Sequence, residues 1–208
     1  AAITQPAYAE SIAANCRGLR WMAVISHDAG VTPAQPAPRG ESFEALFGDS
    51  ADRPRRAIDP SAPCSVQYTS GTTRELPEAV KHTHRAIVLV TIAALYGTGI
   101  RPGDEFFCPS SPAWGHGLWH GTLAPLGLGV TTGTFAGRFD PVRLMKALSD
   151  YKITNMSAAS THYRMMKNSG KAGDFAFHFK KLSYTGEPID PATLDFIDAT
   201  FKTPACSM

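Results

Sequence analysis

Short apolar runs of β type alternate with helix-length segments along most of the chain. Residues 19–25 read as a buried strand, followed by strands over 65–68, 79–83, 106–109, 130–135, 153–157 and 182–185. Between them the pattern predicts helices over 84–96, 117–126 and 162–167. The first of these is apolar on nearly every face, which predicts burial rather than a solvated stripe. Two more helices announce their own starts. Asp140-Pro141 and Asp190-Pro191 each put a side-chain acceptor at the N-cap and a proline at the first helical position. In the first, Val142, Met145, Leu148 and Tyr151 supply a predicted inward face; in the second, Leu194, Ile197 and Phe201 do so. Strands alternating with helices predict an α/β fold, a layered and largely parallel sheet with flanking helices.

Residues 27–63 break the rhythm. Six prolines (Pro33, Pro36, Pro38, Pro54, Pro60 and Pro63) punctuate them, and only a brief helical stretch is expected near 42–47. This part reads as a long surface excursion, and the whole of 1–208 as a single partial domain.

Composition narrows the function classes. Hydrophobic residues make up 43% of the 208, enough for a substantial core, so a disordered or fibrous chain is excluded. The net charge of +2 provides no basic field, and nucleic acid is not an expected partner. Cys16, Cys64, Cys108 and Cys206 are widely spaced, unlike a disulfide scaffold or a zinc ribbon. The longest apolar stretch, 86–100, is interrupted by Thr91, Tyr96, Gly97, Thr98 and Gly99, short of the roughly 18–20 residues of a membrane span. No signal peptide is visible, and a cytoplasmic chain with reduced thiols is expected.

Chemistry concentrates after the strand at 65–68. In Thr69-Ser70-Gly71-Thr72-Thr73, four hydroxyl side chains accompany one glycine, followed by Arg74. Hydroxyls and open backbone N–H groups hold phosphate oxygens, and glycine lets the backbone come close. A plain Ser/Thr-rich turn has the same composition. No Walker A loop and no G-x-G-x-x-G occurs anywhere in the chain. His116 and His120 share the spacing of a metal-binding helix face, but no third ligand completes it, so no metal site is expected. Asn155-Met156-Ser157 matches a glycosylation sequon but reads as a strand end, and Gly40-Glu41-Ser42 lacks the closing glycine of a nucleophile elbow. His82 and His84 have no Ser–His–acid partners at a telling spacing.

Three segments, taken in order, carry a resemblance. Tyr68 to Thr73, with Pro77 and the later His82-Thr83-His84, resembles the phosphate loop Y-T-S-G-T-T-G-x-P-K of adenylate-forming acyl-CoA synthetases, the AMP-binding family. Ser111-Pro112-Ala113-Trp114-Gly115-His116-Gly117 is similar to the aromatic segment lining their acyl pocket. Ser183-Tyr184-Thr185-Gly186-Glu187-Pro188 resembles their G-E-P adenine segment. Two positions depart from the pattern: Arg74 stands at the family's glycine and Glu78 at its lysine, with one extra residue before Pro77. Arg74 is suited to replace the missing cation.

The resemblance implies part of a synthetase N-terminal domain that activates a small carboxylic acid with ATP and Mg²⁺ and passes it to coenzyme A. It implies that Thr69, Ser70, Gly71, Thr72, Thr73 and Arg74 hold phosphates, that Gly186, Glu187 and Pro188 line the adenine, and that Trp114, Gly115, His116 and Gly117 bound the acyl group. A compact pocket for aromatic, alicyclic or short-to-medium acids follows from one large ring beside two glycines. The family's Y-G-x-T-E motif, due after residue 208, is not in the chain, nor is the small domain, so an inactive internal fragment is expected. A non-catalytic nucleotide-binding module and an enzyme that loads a carrier protein are the alternatives. Oligomeric state has no signature in the sequence.

Overall fold

The computed structural model describes residues 1–25, 40–46, 57–68, 78–135 and 137–208. These cluster into two compact units, one from 1–56 with 136–138 and one from 57–135 with 139–208.

In the first unit, β1 (Ala2–Thr4), β2 (Met22–Val24) and β3 (Gly40–Ser42) form a parallel sheet in that order. Helix α1 (Pro6–Asn15) buries Ala9, and the small core is completed by Met22 and Val24. The proline-rich excursion is therefore partly sheet: Gly40 pairs with Met22, and a 3₁₀ turn at Phe43–Leu46 follows. Residues 27–39 and 47–56 of that excursion lie outside the described residues.

The second unit holds a hairpin of β4 (Pro63–Tyr68) and β5 (Ala79–Thr83), then a five-stranded parallel sheet. Its strands are β6 (Glu105–Phe107), β7 (Thr131–Gly133), β8 (Asn155–Ala159), β9 (Lys181–Thr185) and β10 (Ala205–Ser207), in the order β10-β9-β8-β6-β7. The expected α/β class with a parallel sheet is the observed one. Two neighbours on β6 show how the sheet is covered. Phe106 belongs to a core with Ala94, Ile100, Ala124 and Val130, while Phe107 belongs to one with Leu148, Met156, Tyr163 and Ile197. Adjacent residues of a strand point to opposite faces, so both faces are covered.

On the Phe107 side lie α4 (Pro141–Asp150), α5 (Ser160–Ser169) and α6 (Pro191–Phe201). Both sequence-read caps form. The Asp140 carboxylate accepts the Arg143 N–H at 2.8 Å, and that of Asp190 accepts the Thr193 N–H at 2.9 Å. The inward face of α4 differs from the expected one: Leu144, Met145 and Leu148 are buried, whereas Val142 and Tyr151 are exposed. A three-residue step falls short of the 3.6-residue turn, so a stripe drawn at that spacing drifts around the helix. In α6, Ile197 and Phe201 are buried as expected, but the fully buried position beside them is Thr193 and Leu194 is half-buried.

On the Phe106 side are α2 (Arg85–Ala93), a π-helical turn at Ala94–Thr98, a π-helix at His116–Leu123 and the short α3 (Ala124–Gly127). The expectation that 84–96 is buried is corrected here. No residue of α2 is buried, and Val88, Leu89 and Ile92 are about half exposed or more. Only one stripe of this helix meets protein or a cavity.

A half-buried ion pair ties the parallel strands together. Lys181 of β9 sits 2.8 Å from Asp104, just before β6, and the Asn155 amide of β8 donates to the same carboxylate. Burial pushes the Asp104 carboxyl up, but hydrogen bonds from Lys181, the Arg101 N–H and Asn155 outweigh it and hold the carboxyl below its ordinary value.

Candidate functional site

Because the five strands run parallel, their carboxyl ends share one edge, the edge at which ligands of open α/β sheets sit. The segment after β6 delivers Cys108, Ser110 and the π-helix there; β8 delivers Ser157; β9 delivers Thr185 and the G-E-P turn; β10 delivers Met208.

An apolar cavity of about 510 Å³ opens at this edge, bounded on one side by Ala86, Leu89, Val90 and Ala93. Their i, i+3, i+4, i+7 spacing is one face of α2. Gly115, His116, Trp119 and His120 bound it too, with Thr185 and Met208 at the strand ends. The π-helix explains this second wall. Its i→i+5 bonding, visible where the Ala124 N–H donates to the Trp119 carbonyl, winds more residues into each turn, so positions four and five apart fall under one another. His116 and His120 thereby stand with ring centroids 6.1 Å apart.

His116 is held at both nitrogens. Ser157 lends its one hydroxyl proton to the Met208 sulfur at 3.5 Å, so its oxygen accepts the His116 Nε2–H at 2.9 Å. His116 Nδ1 is then a lone pair, accepting from the Ser110 hydroxyl at 2.9 Å. Burial, aided by the neighbouring imidazoles of His120 and His162, lowers its pKa to about 4, so the ring is neutral at pH 7. Burial lowers the His120 pKa as well. Trp119 is buried, donates its indole N–H to the Gln67 side chain at 2.8 Å, and meets His82 edge-on at 4.6 Å. The Cys108 thiol, 3.7 Å from His116, is pushed up to about 11 by burial and is no nucleophile.

A second cavity of about 480 Å³ is lined by Tyr184, Thr185, Gly186, Glu187, Pro188 and Ile189, with Ser207 and Met208. Gly186 has φ +92°, a conformation that a side chain would strain, and no atom lies within 4 Å of where its Cβ would be. Helix α5 fixes the turn. The Ser160 hydroxyl donates to the Glu187 carbonyl at 2.7 Å, the Thr161 hydroxyl to its carboxylate, and Arg164 lies 3.6 Å from that carboxylate. Arg164 and Lys167 also reach Asp190 at 3.4 Å.

Of the residues singled out from the sequence, Gly115 and His116 line the first cavity, and Gly186, Glu187 and Pro188 line the second. Trp114 is 67% exposed and is not among the lining residues of the first. Gly117 is buried behind the wall, where a Cβ would fall 2.1 Å from the Ser111 carbonyl oxygen, so that position admits only glycine. Thr69, Ser70, Gly71, Thr72, Thr73 and Arg74 lie outside the described residues. The chain ends that flank them are held side by side, since Tyr68 pairs with Ala79. The site residues read from the sequence left out His120, Trp119 and the cavity face of α2. For α2 the spacing of Ala86, Leu89, Val90 and Ala93 was the available signal. Among the described residues, no three His, Cys, Asp or Glu side chains group as a metal site, and no helix is long and apolar enough to cross a membrane.

Comparison with known proteins gives a family and a fold. The family described as "AMP-binding enzyme" matches residues 4–208. The acetyl-coenzyme A synthetase of Syntrophobacter fumaroxidans is 29% identical over 183 residues, covering 85% of this chain and 28% of that protein. The 3-hydroxybenzoate–CoA ligase of Aromatoleum sp. (strain CIB) is 30% identical over 152 residues, covering 70% of this chain and 29% of that protein. The chain thus spans under a third of the length of these relatives. Among solved structures, the anthranilate CoA ligase AuaEII in complex with anthranoyl-AMP superposes with a TM-score of 0.83 at 18% identity, over 98% of this chain and 39% of that one. The Brucella canis acyl-CoA synthetase does so with a TM-score of 0.79 at 23% identity, over 98% and 36%.

Proposed function

Since the chain belongs to the AMP-binding enzyme family, we propose that the whole protein joins a carboxylic acid to coenzyme A through an acyl-adenylate. The carboxylate oxygen attacks the α-phosphorus of ATP and pyrophosphate leaves; the coenzyme A thiolate then attacks the acyl carbon and AMP leaves. This first step asks little of acids or bases. It asks for placement and for stabilisation of charge on phosphate oxygens.

One observation carries the reading: the apolar cavity and the cavity over the G-E-P turn share Thr185 and Met208. An acid in the first and an adenosine in the second would meet at that seam. Gly186, Glu187 and Pro188 bound the base, with Glu187 fixed by Thr161 and Arg164. Gly115 and His116 bound the acid, and Trp114 and Gly117 belong to the same segment. Thr69 to Thr73 take the β- and γ-phosphates of ATP, with Arg74 supplying the cation that Glu78 does not. Both compact units form part of one AMP-binding domain, acting in the cytoplasm. The 208-residue chain alone is expected not to turn over, because it spans under a third of the relatives' length.

The test is acid-dependent exchange of labelled pyrophosphate into ATP by the whole protein, followed by acceptor assays. Exchange with thioester formation on coenzyme A supports the reading. Nucleotide binding without exchange would make the protein a binding module, and transfer to a carrier protein alone would replace the second step.

A further inference from the structure

Some of the hydrogen-bonding groups that line the apolar cavity are already occupied. Both nitrogens of His116 are taken by serine hydroxyls, and the Trp119 indole N–H is taken by Gln67. His120 differs. Its Nδ1 is sealed from solvent and has no hydrogen-bond partner. That leaves Nε2 as the nitrogen with which this cavity-lining ring can meet a ligand. A buried N–H without an acceptor is the rarer and costlier orphan, so the proton belongs on Nε2 and the sealed Nδ1 keeps a bare lone pair. His120 therefore presents a donor to the cavity.

The rest of the cavity restricts what meets that donor. No lysine or arginine is among its described lining residues, and burial keeps His116 and His120 neutral, so a second carboxylate or a phosphate on the acid would have only the His82 imidazole to turn to. Ala86, Leu89, Val90 and Ala93 line the cavity from α2, and four rings, that of His82 among them, line it as well. An apolar cavity with four rings in its lining suits a flat aromatic group, since aromatic faces and edges favour another ring.

From these features, and resting on the reading above, we propose that the acid is a planar aryl carboxylic acid whose ring carries an uncharged oxygen acceptor, and that His120 Nε2–H recognises that oxygen. His120 is a specificity residue for the acid and takes no part in the transfer of the phosphoryl or acyl group.

The test uses the whole protein and pyrophosphate exchange with benzoate, the three hydroxybenzoates, the three methoxybenzoates, the three aminobenzoates and isophthalate. A hydroxyl or methoxyl isomer should exceed benzoate in kcat/KM by roughly three- to tenfold, the worth of one neutral hydrogen bond. Aminobenzoates, whose nitrogen is a poor acceptor, and isophthalate should show no such gain. His120→Phe should bring the ratio to about one while benzoate itself is still used. His120→Gln, whose amide N–H reaches the place of Nε2–H, should restore it. In ¹⁵N spectra the His120 ring should carry its proton on Nε2. Equal use of benzoate and its oxygenated forms, an unchanged ratio in His120→Phe, or a proton on Nδ1 would overturn the proposal and leave the adenylation reading intact. Exchange with no acid at all would remove both.

Discussion

Helices α2 and α4 both belong to the layers flanking the parallel sheet, yet they serve opposite ends. In α4, Leu144, Met145 and Leu148 are wholly buried between the sheet and α5, and Asp140 caps the first turn. In α2, no residue is buried; one stripe borders a cavity and Val88 and Ile92 face outward. A helix that fills space stabilises the fold, whereas a helix that leaves space beside it shapes a ligand. The more apolar helix is the one with no buried residue, so apolar content alone points the wrong way. The inward stripes differ as well: leucine and methionine in one, Ala86, Leu89, Val90 and Ala93 in the other.

Substitutions can break that contrast. Leu148→Ala in α4 should lower stability by about 2–5 kcal/mol, read as a shift of the urea midpoint at constant slope. A loss under 1 kcal/mol would mean that the core collapses around the gap. Acid should act through the cavity side. Folding lowers the pKa of His116 from 6.5 to about 4, so the folded state holds the neutral ring and the unfolded chain takes up the proton first. Its contribution is whole above pH 6.5 and is lost as pH falls toward 4. Urea midpoints measured across that range should fall less steeply in His116→Gln than in the parent; equal slopes would clear this ring of the effect. Ala86→Leu puts bulk on the cavity stripe of α2. Acid-dependent exchange by the whole protein should drop about tenfold, roughly 1.4 kcal/mol, while the urea midpoint hardly moves. Unaltered exchange would place the acid elsewhere. Smallest of all, Val88→Ser on the outward face of α2 should change stability by no more than about 0.5 kcal/mol. A larger loss would show that something covers this face.

Much of the second unit could be read before its structure was known, because its signals are local. An aspartate before a proline sets a cap within four residues, and the adjacent Phe106 and Phe107 mark a strand covered on both faces. What escaped the sequence was either short or non-local. Strands β1 and β10 have three residues each, too few for a pattern, and each takes its place by pairing with a neighbour. Helix α1 also has proline at its first position, but it is rich in alanine and buries only Ala9, so its stripe is faint. The G-E-P turn was legible as a motif, while its anchoring by Ser160, Thr161 and Arg164 depends on a crossover of more than 20 residues. His120 was legible only as half of a histidine pair. Its importance comes from Ser110 and Ser157, which occupy its partner and leave it open.

The π-helix at His116–Leu123 has a consequence for how such proteins diverge. A wide turn holds one residue more than the α-helical turn it replaces, so its length can change by a single insertion or deletion. Losing one residue there would tighten the winding and swing Trp119 and His120 away from the cavity, while the strands on either side kept their register. Specificity at this edge can thus drift through a one-residue gap, a kind of change that comparing side chains position by position would pass over.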